Sequence, residues 1–201
     1  MFVPISMAPV SPTDFPQQCH GAVVGLGGNI GPVLDNLQGA IAELALVAGI
    51  EVERCSSWYR SRAFGPPQPD YINGCVTLRV SLSPPELLQT LLAIEQKFGR
   101  IRLEKWGPRT LDLDLIFYGD RQLEQARLTI PHPQMQYRPF VLVPLAEIAP
   151  DWVDPRSGKT IIQLIEQVDC TAVWPVAPGL ELGGSLEPEQ VFAPGAVAVH
   201  G

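Results

Sequence analysis

The 201-residue chain is 46% apolar and 17% charged, which excludes a disordered polar segment and suits one globular domain with a substantial core. Its net charge of −7 excludes the broad basic face of a general nucleic-acid binder, and no apolar run is long enough to span a membrane. Cys19, Cys55, Cys75 and Cys170 form no CxxC pair, so reduced thiols in a cytoplasmic protein are expected. Residues 1–20 carry four prolines and no Lys or Arg, a pattern that predicts a flexible N-terminal arm rather than a signal or transit peptide.

The folded domain is predicted over residues 21–169. It opens with a short apolar strand from Gly21 that runs into a glycine turn ending at Gly31. Gly25-x-Gly27 begins a dinucleotide fingerprint, but Ile30 stands where the third glycine belongs, so a tight strand-to-helix turn is the better reading. Pro32 then sits early in a helix with Val33, Leu37, Ile41 and Leu44 on one face. Strands are predicted over Glu51–Tyr59 and Asn73–Val80, joined by a Pro-rich loop whose aromatic residues and polar anchors suit a ligand-holding loop. Ser83-Pro-Pro-Glu86 is a capping box, and its helix runs through Leu87, Leu91 and Ile94 to a stop at Gly99. Glu95 near the end of that helix opposes the macrodipole, which points to a job other than helix stability.

The most informative stretch runs from Lys105 to Tyr118. Leu111 to Tyr118 alternates apolar and polar residues as a strand does, so Asp112 and Asp114 share a face, about 6.5 Å apart along the chain. Leu111, Leu113 and Leu115 face a core. Two carboxylates on one face repel, and a hard divalent cation such as Mg²⁺ relieves that repulsion. An edge strand with a merely acidic outer face has the same pattern. Against it stands a cluster of five of the fourteen Lys and Arg: Lys97, Arg100, Arg102, Lys105 and Arg109. Metal carboxylates beside arginine forks are what polyphosphate transfer needs, because catalysis there is mostly positioning and charge neutralisation.

After a turn at Gly119-Asp120, the segment from Arg127 to His132 leads toward Arg138 and Phe140. Phe140 is equally readable as core ahead of Val141. Ser157-Gly-Lys-Thr160 imitates the end of a phosphate loop but lacks its earlier glycine, since position 153 is Val. Asp154 to Gly158 instead predicts a hairpin turn before an amphipathic helix over Ile161–Val168. Residues 170–201, with repeated Pro and Gly, are expected to form an irregular tail, of which residues 172–201 are expected to be dispensable.

Lys105 to Ile116 closely resembles the signature of the 6-hydroxymethyl-7,8-dihydropterin pyrophosphokinase family: a basic residue, Trp-Gly-Pro-Arg, then Asp-x-Asp. The resemblance extends over roughly Ala22 to Val168. Gln68-Pro69-x-Tyr71-x-Asn73 is similar to the family's pterin loop, although Ser61 and Ala63 stand where relatives often have Thr and Pro, and the loop is one residue shorter. Here the resemblance implies pterin contacts from Ser61, Arg62, Phe64, Tyr71, Asn73 and Phe140. Asn73 would offer its amide edge to the ring. It implies ATP contacts from Glu95, Arg102, Lys105 and Trp106, the last on a closing lid. Arg109, Arg127, Thr129, His132 and Arg138 would follow along the phosphates. Arg100, Arg109, Asp112 and Asp114 would be catalytic, with both aspartates binding two Mg²⁺ ions.

The order β-α-β-β-α-β with later helices predicts an α+β, ferredoxin-like fold, an antiparallel sheet covered by helices in α/β/α layers. The implied reaction moves pyrophosphate from ATP to hydroxymethyldihydropterin and releases AMP, in a monomer without nucleic-acid or membrane partners. Two rivals remain open: a nucleotidyl transferase with a palm-like sheet, and a ferredoxin-like module that binds a small regulatory ligand. Mg²⁺-dependent ATP binding separates the module from either enzyme.

Overall fold

The apolar run near the start becomes the middle of a sheet. Strand β1 (His20–Gly28) is buried along nearly its whole length, which is why it reads as a continuous hydrophobic run rather than an alternation. The computed structural model describes residues 19–63, 65–100 and 107–176. The expected arm (up to residue 18), Phe64, Arg102, Lys105, Trp106 and residues 177–201 lie outside the described residues.

Along the chain, β1 is followed by α1 (Val33–Leu46), β2 (Ile50–Cys55), β3 (Tyr59–Ser61), β4 (Tyr71–Val80), α2 (Pro84–Lys97) and β5 (Asp112–Tyr118). A small hairpin, β6 (Leu123–Gln125) with β7 (Leu128–Ile130), precedes α3 (Pro139–Ile148), α4 (Ile161–Ile165) and β8 (Val173–Pro175). The main sheet is antiparallel in the order β5-β1-β4-β3-β8, with β2 also paired to β4. Helices cover both faces. Leu37, Ala40 and Leu44 of α1 and Leu87, Leu91 and Ile94 of α2 pack on Ala22, Val24, Val76 and Leu78. Leu142 and Leu145 of α3 and Ile161 and Leu164 of α4 pack on the opposite-facing Val23, Cys75 and Phe117.

Local signals set several boundaries. The Glu86 carboxylate accepts from the Ser83 N–H at 2.8 Å, as the capping-box pattern requires, and also from the Ser83 hydroxyl at 2.6 Å. Gly99 adopts φ +73° just beyond α2, a conformation that only glycine takes without strain. The decoy phosphate loop is a turn: Asp154 accepts from the Ser157 hydroxyl at 2.6 Å, and Thr160 caps α4.

Four expectations are corrected. The predicted strand over Glu51–Tyr59 is two strands, because the Ser56 hydroxyl accepts from the Cys75 N–H and interrupts the ladder. The helix after Thr160 spans Ile161–Ile165 and gives way to turns before Val168. Alternation in β5 holds only as far as Leu115. There the register on β1 slips by one residue, and Ile116 and Phe117 both enter the second core. Finally, the expected irregular tail is ordered at its start, since Val173–Pro175 pairs with β3. Three residues are too few to carry a periodic signal.

Candidate active site

The sheet order brings β5, β1, β4 and β3 side by side, so residues far apart in sequence share one cleft. Gly25, Leu26 and Gly27 form its floor, Asp112, Asp114, Arg109 and Arg138 one side, and Ser61, Arg62, Tyr71, Asn73 and Phe140 another.

At the acidic end, β5 holds Asp112 and Asp114 on the same face, as alternation predicts. Asp112 is clamped: Arg100 Nη1 meets Oδ1 at 2.7 Å and Arg109 Nη1 meets Oδ2 at 2.6 Å. Arg100 is only 9% exposed, and its Nη1 also donates to the Leu111 carbonyl at 2.8 Å. Arg100 therefore fixes the entry to β5 and Asp112 together. Asp114 is held more loosely, with Arg138 Nη1 at 3.7 Å. Surrounding protein atoms and the Asp112 charge push its carboxyl up to about 6, although its side chain stays 40% open. One carboxylate is paired with two arginines, and among the described residues its neighbour has the more distant Arg138. Asp112 keeps lone pairs beyond its two arginine bonds, so both aspartates offer hard oxygens to a divalent cation.

At the amide end, Asn73 is 5% exposed and its amide donates to the Ser61 hydroxyl at 2.9 Å. Ser61 is itself 4% exposed. The Tyr71 hydroxyl donates to the Gly107 carbonyl at 3.2 Å, and the Arg109 guanidinium lies 6.0 Å from the Tyr71 ring. Phe140, in the first turn of α3, both lines the cleft and packs on the second core, with the Arg138 guanidinium 5.7 Å from its ring.

Among the described residues, none of the others expected lines this cleft, and His132 is linked to it through Arg138. His132 presents Nε2 to Arg138 Nη1 at 3.5 Å, and its N–H donates to the Ile116 carbonyl of the slipped register. Burial, then the Arg138 charge, lowers its pKa to about 4, so the ring is neutral near pH 7. Thr129 is half-buried on β7 between the buried Leu128 and Ile130, and Arg127 is exposed in the hairpin. Glu95, expected among the nucleotide contacts, is buried. It is 2% exposed and accepts from the Leu113 N–H at 2.9 Å, on the edge of β5. Its unfavourable position in the helix is explained by that bond.

Sequence reading passed over Asn29. This residue is 5% exposed and ties three segments together: Oδ1 accepts from the Arg109 N–H at 2.8 Å, while Nδ2 donates to Gln68 Oε1 and the Pro69 carbonyl, each at 3.0 Å. Beside it, a Cβ on Gly28 would stand 2.8 Å from the Thr110 carbonyl, so glycine is needed for the turn to approach the arginine segment. An Asn before a helix looks like an ordinary cap, and nothing local marks these distant partners.

A paired carboxylate with arginines, opening onto a cleft walled by a buried amide and aromatic rings, defines a class: enzymes that hold a polyphosphate against a small planar acceptor. Comparison narrows the class. The family model of 7,8-dihydro-6-hydroxymethylpterin-pyrophosphokinase matches residues 23–150. The 2-amino-4-hydroxy-6-hydroxymethyldihydropteridine pyrophosphokinase of Haemophilus influenzae is 42% identical over 147 residues, covering 73% of this chain and 91% of that protein. The enzyme of the same name from Pseudomonas aeruginosa is 42% identical over 143 residues, covering 71% and 88%. The chain belongs to the 7,8-dihydro-6-hydroxymethylpterin-pyrophosphokinase family. A crystal structure of Plasmodium falciparum HPPK-DHPS with pteroate shares the fold at a TM-score of 0.60 and 12% identity, covering 75% of this chain, which spans 42% of that one.

Proposed function

We propose that the chain transfers the pyrophosphoryl group of ATP to the hydroxymethyl oxygen of 6-hydroxymethyl-7,8-dihydropterin, forming the pterin diphosphate and AMP for folate biosynthesis. The observation that carries this reading is the cleft itself. Asp112, Asp114, Arg109 and Arg138 line the same space as Asn73, Ser61, Tyr71 and Phe140. A phosphate chain and a pterin placed there would meet.

In the proposed reaction the acceptor hydroxyl loses its proton to solvent as its oxygen bonds to the β-phosphorus, the bond from that phosphorus to the α-bridging oxygen breaks, and AMP leaves. Asn73 presents its carbonyl oxygen to the N–H edge of the pyrimidinone while its amide stays committed to Ser61. Phe140 and Tyr71 supply flat apolar surface for the ring. Arg109 and Arg138 neutralise phosphate oxygens, with most benefit where charge shifts during transfer. Arg100 acts as a positioning residue through Asp112. His132, neutral and beside Arg138, offers a ring nitrogen to a phosphate oxygen without adding charge. Arg127 and Thr129 serve the outer phosphates, and Arg102, Lys105 and Trp106 are proposed to complete the nucleotide site.

Asp112 and Asp114 would hold Mg²⁺, two ions in our reading, with the phosphates as remaining ligands. A metal held by these two carboxylates would supply Lewis-acid neutralisation of phosphate charge. The hard-oxygen donor set of the two carboxylates, both lining the cleft, fits a dication at this position. The strand order, with β1 and β4 central and α1 and α2 on one face, supports a ferredoxin-like assignment. All four cysteines are free thiols, which suits the proposed cytoplasmic setting.

Product analysis tests the reaction. Incubation with Mg²⁺, ATP and the reduced hydroxymethylpterin is expected to yield AMP and pterin diphosphate in equal amounts. ADP or free pyrophosphate as the main product overturns the reading, because each reports attack at a different phosphorus.

A further inference from the structure

β3 is a three-residue strand that carries part of the cleft wall, since Ser61 is its last residue and Arg62 follows. A strand this short is weakly held when paired on one side only. β4 pairs with one edge of β3 through Tyr59↔Asn73, Arg60↔Ile72 and Ser61↔Tyr71. The other edge is closed by β8 through Tyr59↔Pro175, Arg60↔Trp174 and Ser61↔Val173. Both ends of that pairing are fastened. The Arg62 N–H donates to the Ala172 carbonyl at 3.4 Å, and the Val176 N–H donates to the Trp58 carbonyl at 2.9 Å. Val176 and Trp58 also pack against the first core. Two turns deliver the strand: the Thr171 N–H donates to the Asp169 carboxylate at 2.9 Å and the Val173 N–H to the Cys170 carbonyl at 3.0 Å.

From this geometry we infer that residues 172–176 are a positioning strand for the pterin subsite. None of them lines the cleft itself. They fix the backbone on either side of Ser61, whose hydroxyl holds the amide of Asn73 in the orientation the ring needs. When β8 is detached, β3 becomes an edge of three residues, Ser61 samples other positions, and the share of molecules competent to bind pterin falls. The acidic end, on the far edge of the sheet beyond β1 and β4, is untouched. β8 therefore controls one substrate and not the other. The inference rests on the functional reading above.

The test uses the full-length chain. Val176→Pro removes the N–H that bonds Trp58, while Val176→Ala keeps it and shortens the side chain. Val176→Pro is expected to raise KM for the pterin by about five- to tenfold, the size of one lost hydrogen bond. KM for ATP and kcat should shift by less than about twofold, as should every constant of Val176→Ala. In a double variant with Ser61→Ala the two effects should overlap rather than multiply, because they act through the same hydroxyl. Equal changes in both KM values, or full multiplication, overturn the inference. Hydrogen exchange on the unaltered chain gives an independent readout. Because linkage is reciprocal, saturating pterin with an ATP analogue should slow exchange at 172–176, and unchanged exchange refutes the role. If the unaltered chain makes no AMP with the pterin, the functional reading itself fails. A normal product pattern with an insensitive β8 overturns only this inference.

Discussion

The two ends of the cleft are built on different principles. The acidic end is a concentrated charge network: Asp112 takes an arginine on each oxygen, and Asp114 sits beside it with Arg138 3.7 Å away. The amide end has, among the described residues, no carboxylate and a single cation, Arg62, and its geometry rests on one hydrogen bond between Asn73 and Ser61 and on strands that are short at their edge. Charge brings its own strain at the first end, while the second depends on backbone order. Damage should therefore appear as lost turnover at the acidic end and as lost substrate affinity at the amide end.

The sharpest way to break that contrast is to remove a carboxylate. Asp112→Ala and Asp114→Ala should each lower AMP release at saturating Mg²⁺ on the order of 10³-fold, since metal and phosphate lose a principal anchor. Asp114→Asn should do the same yet raise the melting temperature at pH 7, because it removes the repulsion with Asp112. Wild-type turnover in either alanine variant would place the chemistry elsewhere.

Arg109→Ala comes next. Its loss frees Asp112 Oδ2 and removes a cation from the phosphates, so kcat should fall by about 10²-fold with a smaller rise in KM for ATP. A changed KM with an intact kcat would make it a ground-state binder. Asn29→Ala should cross the divide. By leaving the Arg109 N–H and the Gln68 and Pro69 partners unsatisfied, it should destabilise the fold by about 1–3 kcal/mol in chemical denaturation and weaken both substrates together.

The smallest expected effect is one of pH. The folded pKa of His132, about 4, lies below its ordinary value, so between the two the unfolded chain binds the proton more tightly. Its contribution is present above about pH 6.5 and is lost as pH falls toward 4. Asp114, raised to about 6, acts in the opposite direction across the same window. Denaturation curves from pH 4 to 7 should therefore be shallow in the parent chain. They should steepen toward acid loss in Asp114→Asn and reverse in His132→Gln; parallel curves for all three would contradict the assignments.

Much of the acidic end was legible because its parts are contiguous. Arg109, Asp112 and Asp114 lie within six residues, and period two alone puts both carboxylates on one face. Alternation stopped being a guide at Ile116, where the slip against Val23 and Val24 is a property of the pair of strands. Glu95 was recognisable as out of place on its helix, but its partner, the Leu113 N–H, belongs to another element. Asn29 carried no signal, since its partners lie 39 to 80 residues away.

Composition, the capping box at Ser83, the stop at Gly99 and the Asp-x-Asp strand were determined by the sequence itself, because each depends on contacts between near neighbours or on side-chain periodicity. Tertiary structure alone decided which strands lie side by side. It thereby decided that Asn73 meets Ser61, that Asn29 joins the two ends of the cleft, and that three residues after the last helix close the edge of β3. The physical reason is that hydrogen bonds across a sheet have no sequence period: their partners are fixed by the register of the fold, and that register is set only when both cores pack.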